Sequence, residues 1–547
     1  MEEVRKLNYL SMFVITLLAL TINVNAISNS TDLSDCISGT ESICKITSDF
    51  TMADPITITG GREVTIDLNS HTLDVNSTIV LNGSGILTIT GNGKITTDTA
   101  GYMFDVYPGT TLILENGTFT NTSNGGKIIG VTGSETDSDP ITKAAAVIKE
   151  AASLSANYGI VVRHAGNNAS YGAVVELAGT INAINGNNGY NDGSVGIFVN
   201  GNIKKDSGNI PVINITGGEI TTTVGTTGVP AKDSAPALSA SGYAKWNISA
   251  GDITGTEAAA IKAGEFNITG GNFTATGEYY DPASGNYNGS EATGAAISIT
   301  ATKNYSNNVK INISGATFTS KNGNALYEGI STDKDGNKTT TSSSLVEGGL
   351  LINGGTFIAE DTKKPALDID KNVKEFISGG EFSSNVIEDY INKNVESSKQ
   401  EDGSYIVGTR YTITVKETVE GTVRSDKNTA INGETVTLTI ISKEGYKLKS
   451  VTANEIEVKD NKFIMPNENV EIKVEFEKIV LEKQEKEELK EDSNNTEVKE
   501  EPKTEEKDSI NNVDNNPTTG DNFILYGLLI IVSIFGFKFS LTTKKNN

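Results

Sequence analysis

One short phrase returns through most of the chain and leaves few folds open to it. It consists of apolar-x-apolar, then Ser, Thr or Asn, one or two small residues, a variable residue, and Phe or Ile followed by Thr or Ser. It reads LTITGNGKITT near Thr90, LILENGTFTN near Gly117, VVELAGTINA near Gly179, INITGGEITT near Gly218 and WNISAGDITG near Asp252. FNITGGNFTA near Asn272, INISGATFTS near Thr317, LINGGTFIAE near Thr356 and FISGGEFSSN near Glu381 continue it. A second phrase of small residues around one aliphatic tends to precede the first, as in APALSA at Ala235, AAAIKA at Ala258 and PALDID at Pro365. The closest copies are about 20 to 25 residues apart, and Gly/Asn/Asp-rich insertions fill the wider gaps.

Units this short cannot bury a core alone, so each must stack on its neighbours. Two or three short alternating strands per unit predict a parallel β-helix, with apolar residues piled inside and Asn, Ser and Thr in ladders at the bends. Gly-Gly before Phe or Ile fits a turn needing φ > 0. Hydrophobic residues are 36%, aromatics 6%, and there is one Trp, so the core relies on small and β-branched side chains, which favour strands. The Thr/Gly/Asn content and the lack of a 3.6-residue period exclude a helical solenoid. An array of β-sandwiches is the rival fold.

The remaining segments differ in character. Residues 1–26 read as a secretory signal, with Arg5 and Lys6, an apolar run from Tyr9 to about Ile22, and Val24-Asn25-Ala26 as the exit, cleavage following Ala26. Cys36 and Cys44 would then face an oxidising exterior, and their spacing permits a disulfide. The β-helix is expected over 27–407. Residues 408–478 alternate apolar and polar positions between Asn-Gly, Glu-Gly and Asp-Asn turns, which predicts a small β domain. Residues 479–515 are dominated by Glu, Lys, Asp and Asn and predict a disordered, extended charged spacer. Residues 516–547 hold Asn516-Pro517-Thr518-Thr519-Gly520, an apolar transmembrane stretch 523–537, then Lys538, Lys544 and Lys545.

That last order resembles the cell-wall sorting signal of Gram-positive surface proteins, in which a sortase cuts an LPxTG-type pentapeptide and joins its Thr to peptidoglycan. The resemblance implies attachment through Thr519; Asn516 stands where Leu is usual. The repeat region resembles the pectate-lyase-like right-handed β-helices of surface proteins with ISGGTF-type repeats. VTIDLNSHTLDV, from Val64 to Val75, resembles their first-coil phrase, and EFSSNVIEDYINKN followed by DGSYIV at Asp402 is similar to the segment that often closes them. Gly433-Glu434-Thr435-Val436, Glu444-Gly445-Tyr446 and Phe463-Ile464-Met465-Pro466 resemble the divergent internalin-type B-repeat, a β-grasp-like module of bacterial surface stalks, with Tyr446 and Met465 as core residues.

Chemistry is thinly supplied. A net charge of −24 argues against nucleic acid as a partner, and two His with two Cys leave no room for a His/Cys metal site. His71 lies inside the first-coil phrase and reads as structural. Candidate acids are Glu135, Asp137 and Asp139, Asp333 and Asp335, and Asp368 with Asp370, which share a strand face and are the pair to test for calcium or for glycosidic chemistry. Asp333 to Asn337 has calcium-loop spacing but lacks the distal Glu, so no cofactor is expected beyond this weak calcium signal. Arg163 beside His164 is the one basic constellation within the repeats. Tyr279, Tyr280 and Tyr287 stand in a polar insertion suited to glycan stacking. The expectation is a secreted, wall-anchored protein that binds glycans or host matrix without catalysis, with sortase and peptidoglycan as partners. The alternative is a wall-displayed polysaccharide lyase or glycoside hydrolase.

Overall fold

The computed structural model describes residues 25–480 apart from 53, 139, 164–169, 185–193, 202–206, 224–234, 279–292, 302–307, 331–342 and 371. The expected pentapeptide 516–520, the stretch 523–537, His164, Asp139, Asp333, Asp335 and Tyr279, Tyr280 and Tyr287 lie outside the described residues. Among those described, no helix is long and apolar enough to cross a membrane.

The protein is nearly all β. Strands pair in parallel from coil to coil on three faces, which is a parallel β-helix. The first face runs through Ile43–Ile46, Arg62–Asp67 and Gly85–Thr90. The second runs through Phe50–Met52, Thr72–Val75 and Lys94–Thr97. The third runs through Ile56–Ile58, Ile79–Leu81, Tyr102–Val106, Lys127–Thr132 and Tyr158–Arg163. Long strands such as Thr110–Asn121 and Val212–Thr223 belong to both the first and the second face.

The repeat phrase is the passage from first face to second. Its aromatic position points inward, and Phe273, Phe318, Phe357 and Phe382 pair in register on successive coils. All four are fully buried, with ring centroids 4.9, 4.9 and 5.0 Å apart. That is the strand spacing of a sheet, so hydrogen-bonded coils place these rings at stacking distance. In several copies the glycine before the variable residue takes a positive φ, +81° at Gly218, +101° at Gly271 and +107° at Gly355. The copy at 316 carries Ala316 with φ +85°.

Both ends of the solenoid core are covered. Strand Asn25–Ile27, which contains the expected cleavage residue Ala26, pairs with Ile43–Ile46, and Ile27 is buried. The helix Ser30–Ser38, capped by the Asn29 side chain on the Asp32 N–H, buries Leu33, Cys36 and Ile37 on the same core. Cys36 and Cys44 form a disulfide with Cα atoms 5.9 Å apart. At the other end Tyr405–Gly408 runs antiparallel to Ile377–Phe382, and Glu396–Lys399 runs antiparallel to Tyr405–Gly408. Buried Tyr390 donates its hydroxyl to the Ile369 carbonyl.

Residues 410–478 form a second, separate core between two small sheets. One contains Arg410–Val415, Thr429–Ile431, Tyr446–Ala453, Ile456–Glu457 and Val470–Lys478; the other contains Gly421–Ser425, Thr435–Ser442 and Lys462–Ile464. Met465 is in this core, as expected. Tyr446 is not: it begins an edge-exposed strand and stays half-buried, because most of its neighbours from Lys447 to Ser450 face solvent.

Candidate functional site

The densest polar and aromatic cluster lies on the outside of the third face, across three successive coils. Register puts Tyr102 beside Lys127 and Lys127 beside Tyr158, and it puts Thr132 beside Arg163. Arg163 donates from Nη2 to Asp105 Oδ1 at 2.7 Å and to the Tyr107 hydroxyl at 2.9 Å, and from Nε to Thr132 Oγ1 at 2.6 Å. Its guanidinium lies 4.7 Å from the Tyr102 ring centroid and 5.6 Å from that of Tyr107, within cation–π range. Lys127 Nζ donates to the Gly125 carbonyl at 2.7 Å and sits 5.6 Å from the Tyr102 ring and 5.3 Å from the Tyr158 ring.

Gly130 makes this bridge possible. Asp105 and Arg163 are separated by a whole coil; Gly130 is aligned with Asp105 and with Val161, two residues before the aligned pair Thr132 and Arg163, so it stands beside the path the Arg163 side chain takes to Asp105. A Cβ there would lie 2.8 Å from both Asp105 Oδ1 and Tyr102 Cδ1, closer than carbon atoms approach. The missing side chain leaves room for the acid and the base to meet above the backbone.

Electrostatics follow from partial burial. Burial pushes the Asp105 carboxyl up, against the pull of Arg163, and it pushes the Tyr102 phenol up as well. Burial alone pushes Lys127 down. The Arg163 and Asp105 side chains keep 28% and 14% of their surface accessible. The cluster therefore offers ring faces and cationic donors on a rigid sheet, a combination that stacks against sugar rings and bonds their hydroxyls or carboxylates.

The other sequence candidates are not brought to this place. Asp137 accepts from Asn209 Nδ2 at 2.8 Å on an exposed turn. His71 faces Asp49 at 3.1 Å, where Asp49 also accepts the Thr72 N–H. That N–H, then His71, holds Asp49 below the usual carboxylate range, and the group is structural. Asp368 ends a two-residue strand; the residue is exposed as a whole, but its carboxyl is partly desolvated, which pushes it up against the pull of Lys364. Asp370 spends Oδ1 on the Asn372 backbone N–H at 2.8 Å and on Asn372 Nδ2 at 2.9 Å. Among the described residues no group of three His, Cys, Asp or Glu is placed to hold a metal.

Sequence reasoning singled out Arg163 but missed Tyr102, Asp105, Tyr107, Lys127 and Tyr158. Alignment of the third-face strands, YMFDVY, KIIGVT and YGIVVR, carries the signal: the aromatic or Lys first position, the gap at Gly130 and the polar last position fall into columns.

Residues 411–480 match the divergent InlB B-repeat domain family, a kind of module typical of bacterial surface proteins. No curated protein and no solved structure matches the chain at a significant level.

Proposed function

We propose that this chain is a bacterial surface protein whose solenoid binds glycans without cleaving them, held out from the cell wall by the B-repeat module and the charged segment behind it. The observation that carries this reading is the third-face cluster, where Tyr102, Tyr107 and Tyr158 surround Arg163 and Lys127 and where Asp105, Tyr107 and Thr132 hold the Arg163 side chain in place. Binding sites of this kind need a flat apolar face and a few fixed polar groups, not a titrating acid–base pair. The B-repeat supports surface display. Covalent attachment through Thr519 after sortase cleavage of the 516–520 pentapeptide is part of the same proposal.

A glycan array probed with the purified full chain, paired with assays for new reducing ends and for unsaturated uronates, tests it. Retention of a defined glycan class, weakened by Tyr102→Ala and unaccompanied by cleavage, is the expected result. Cleavage that disappears in Arg163→Ala or Asp368→Asn would replace this reading with that of a polysaccharide lyase or glycosidase. Thr519→Ala is expected to move the protein from the wall to the membrane fraction or medium.

A further inference from the structure

A second surface, on the first face, has the build of a site. Residues Glu176, Asn214, Asn247, Asn267 and Asn312 occupy one outward register position on successive coils; on the next coil that position is the exposed Leu351, and Asn353 Nδ2 reaches Asn312 Oδ1 at 3.3 Å instead. Their amides form a ladder in which each Nδ2 donates to the preceding coil. Asn214 donates to Glu176 Oε1 at 2.7 Å, Asn247 to Asn214 Oδ1 at 2.8 Å, and Asn312 to Asn267 Oδ1 at 3.2 Å. The rung between Asn247 and Asn267 is missing: Asn247 Oδ1 and Asn267 Nδ2 make no hydrogen bond among the described residues. An acceptor and a donor, not bonded to each other, thus stand on adjacent strands whose spacing is about 4.8 Å.

The break coincides with a concavity of about 380 Å³, within the range of roughly 300–1,000 Å³ typical of ligand sites. Its floor is Asn247, Asn267 and Asn312, with Lys245, Glu265 and Lys310 in a row alongside. Its wall is a bulge. The next coil pairs Leu345 with Val309 and then Leu350 with Ile311, so Val346 to Gly349 are extruded from the sheet, with Gly348 at φ +63°. Bulges of this sort recur beside binding and active sites, where they re-aim side chains.

We infer that this trough is a glycan site in which a sugar hydroxyl completes the broken ladder, donating to Asn247 Oδ1 and accepting from Asn267 Nδ2, in an extended neutral polyhydroxylated chain lying across the coils. The chemistry fits in three respects. A hydroxyl is both donor and acceptor, as the gap requires. Lys245, Glu265 and Lys310 alternate in sign, with Lys310 Nζ 3.7 Å from Glu265 Oε1, so the row favours hydroxyls over a strongly charged polymer. Leu351, 46% exposed, offers an apolar contact to the C–H face of a sugar ring. This inference deepens the glycan-binding reading and rests on it, but it places the neutral-sugar site on a different face from Arg163.

Isothermal titration of the purified full chain with two neutral β-linked probes, cellohexaose and chitohexaose, tests it. At least one probe is expected to bind. Asn267→Ala and Asn247→Leu, the latter copying what position 351 carries in the same register, are each expected to weaken binding at least tenfold with an unchanged melting temperature. Thr221→Ala, on the second face and outside both the ladder and the trough, is expected to leave affinity within twofold. Binding that is lost in Arg163→Ala but unaffected by Asn247→Leu and Asn267→Ala overturns this inference and leaves the proposed function standing. Binding of neither hexasaccharide also overturns it, and absence of every glycan from the array removes the proposed function with it.

Discussion

Ser398, in the hairpin that closes the solenoid, donates its hydroxyl to Glu434 Oε1 of the B-repeat module at 3.1 Å. The same carboxylate accepts from Lys427 Nζ at 2.7 Å, and its second oxygen accepts the Ile431 N–H at 2.7 Å. Glu434 is 5% exposed. One buried carboxylate therefore folds the turn that begins the Gly433-Glu434-Thr435-Val436 strand and ties the module to the solenoid, helped by Arg410 on Glu396 at 2.7 Å.

The joint is acid-sensitive. Burial pushes the Glu434 carboxyl up, but its bonds to Lys427, Ile431 N–H and Ser398 outweigh burial and hold it below the ordinary value. The folded pKa is thus lower than the unfolded one, near 4.3. The stabilisation is full above that value and is lost as pH falls through the folded one. Between pH 6 and pH 2, hydrogen exchange is expected to rise first around 427–435. Glu434→Ala should abolish this acid step and cost on the order of 1–3 kcal/mol at neutral pH, because it takes the acceptor from the buried Ile431 N–H. An unchanged acid profile in that variant would show that the joint draws its stability elsewhere.

Ala316 occupies the position where other copies of the phrase carry glycine, at φ +85°. A side chain in that region costs roughly 1–2 kcal/mol, while glycine adds unfolded-state entropy of about 0.5–1 kcal/mol. Ala316→Gly is expected to stabilise the solenoid by on the order of 0.5–1 kcal/mol in a urea titration, with the m-value unchanged. A loss of stability would mean that the Ala316 methyl contributes packing worth more than the strain.

A side chain at Gly130 would have to push aside Asp105 Oδ1 and the Tyr102 ring, each 2.8 Å from where its Cβ would stand. Gly130→Val is expected to part Asp105 from Arg163 and displace Tyr102, lowering affinity for the ligand found on the array at least tenfold. The inward residues beside it, Ile129 and Val131, are fully buried and are not displaced, so the far-ultraviolet dichroism should stay as it is. Unchanged affinity in this variant would remove the third-face cluster from the account.

The inward half of the fold was legible because each coil repeats it. Phe273, Phe318, Phe357 and Phe382 recur after the same small-residue turn, and any register that stacks the phrase stacks the rings. The outward half was legible only as composition. Asp105 and Arg163 are 58 residues apart and meet because the coils between them have particular, unequal lengths, set by insertions whose size no local pattern gives. The extruded wall at Val346 to Gly349 is of the same kind: one strand has more residues than its partner, and only pairing reveals it. Tyr446 was misplaced because a motif position says nothing about which strand ends at an edge.

The central claim, a solenoid that binds sugars and does not cut them, is tested most directly by following the sugar. The intact chain is incubated with the glycan it retains on the array, and the glycan's mass is read over a day alongside its bound fraction. The account predicts a bound fraction that falls in Arg163→Ala and a mass that never changes. Shortened or unsaturated products that form with the intact chain and fail to form with Arg163→Ala would contradict it.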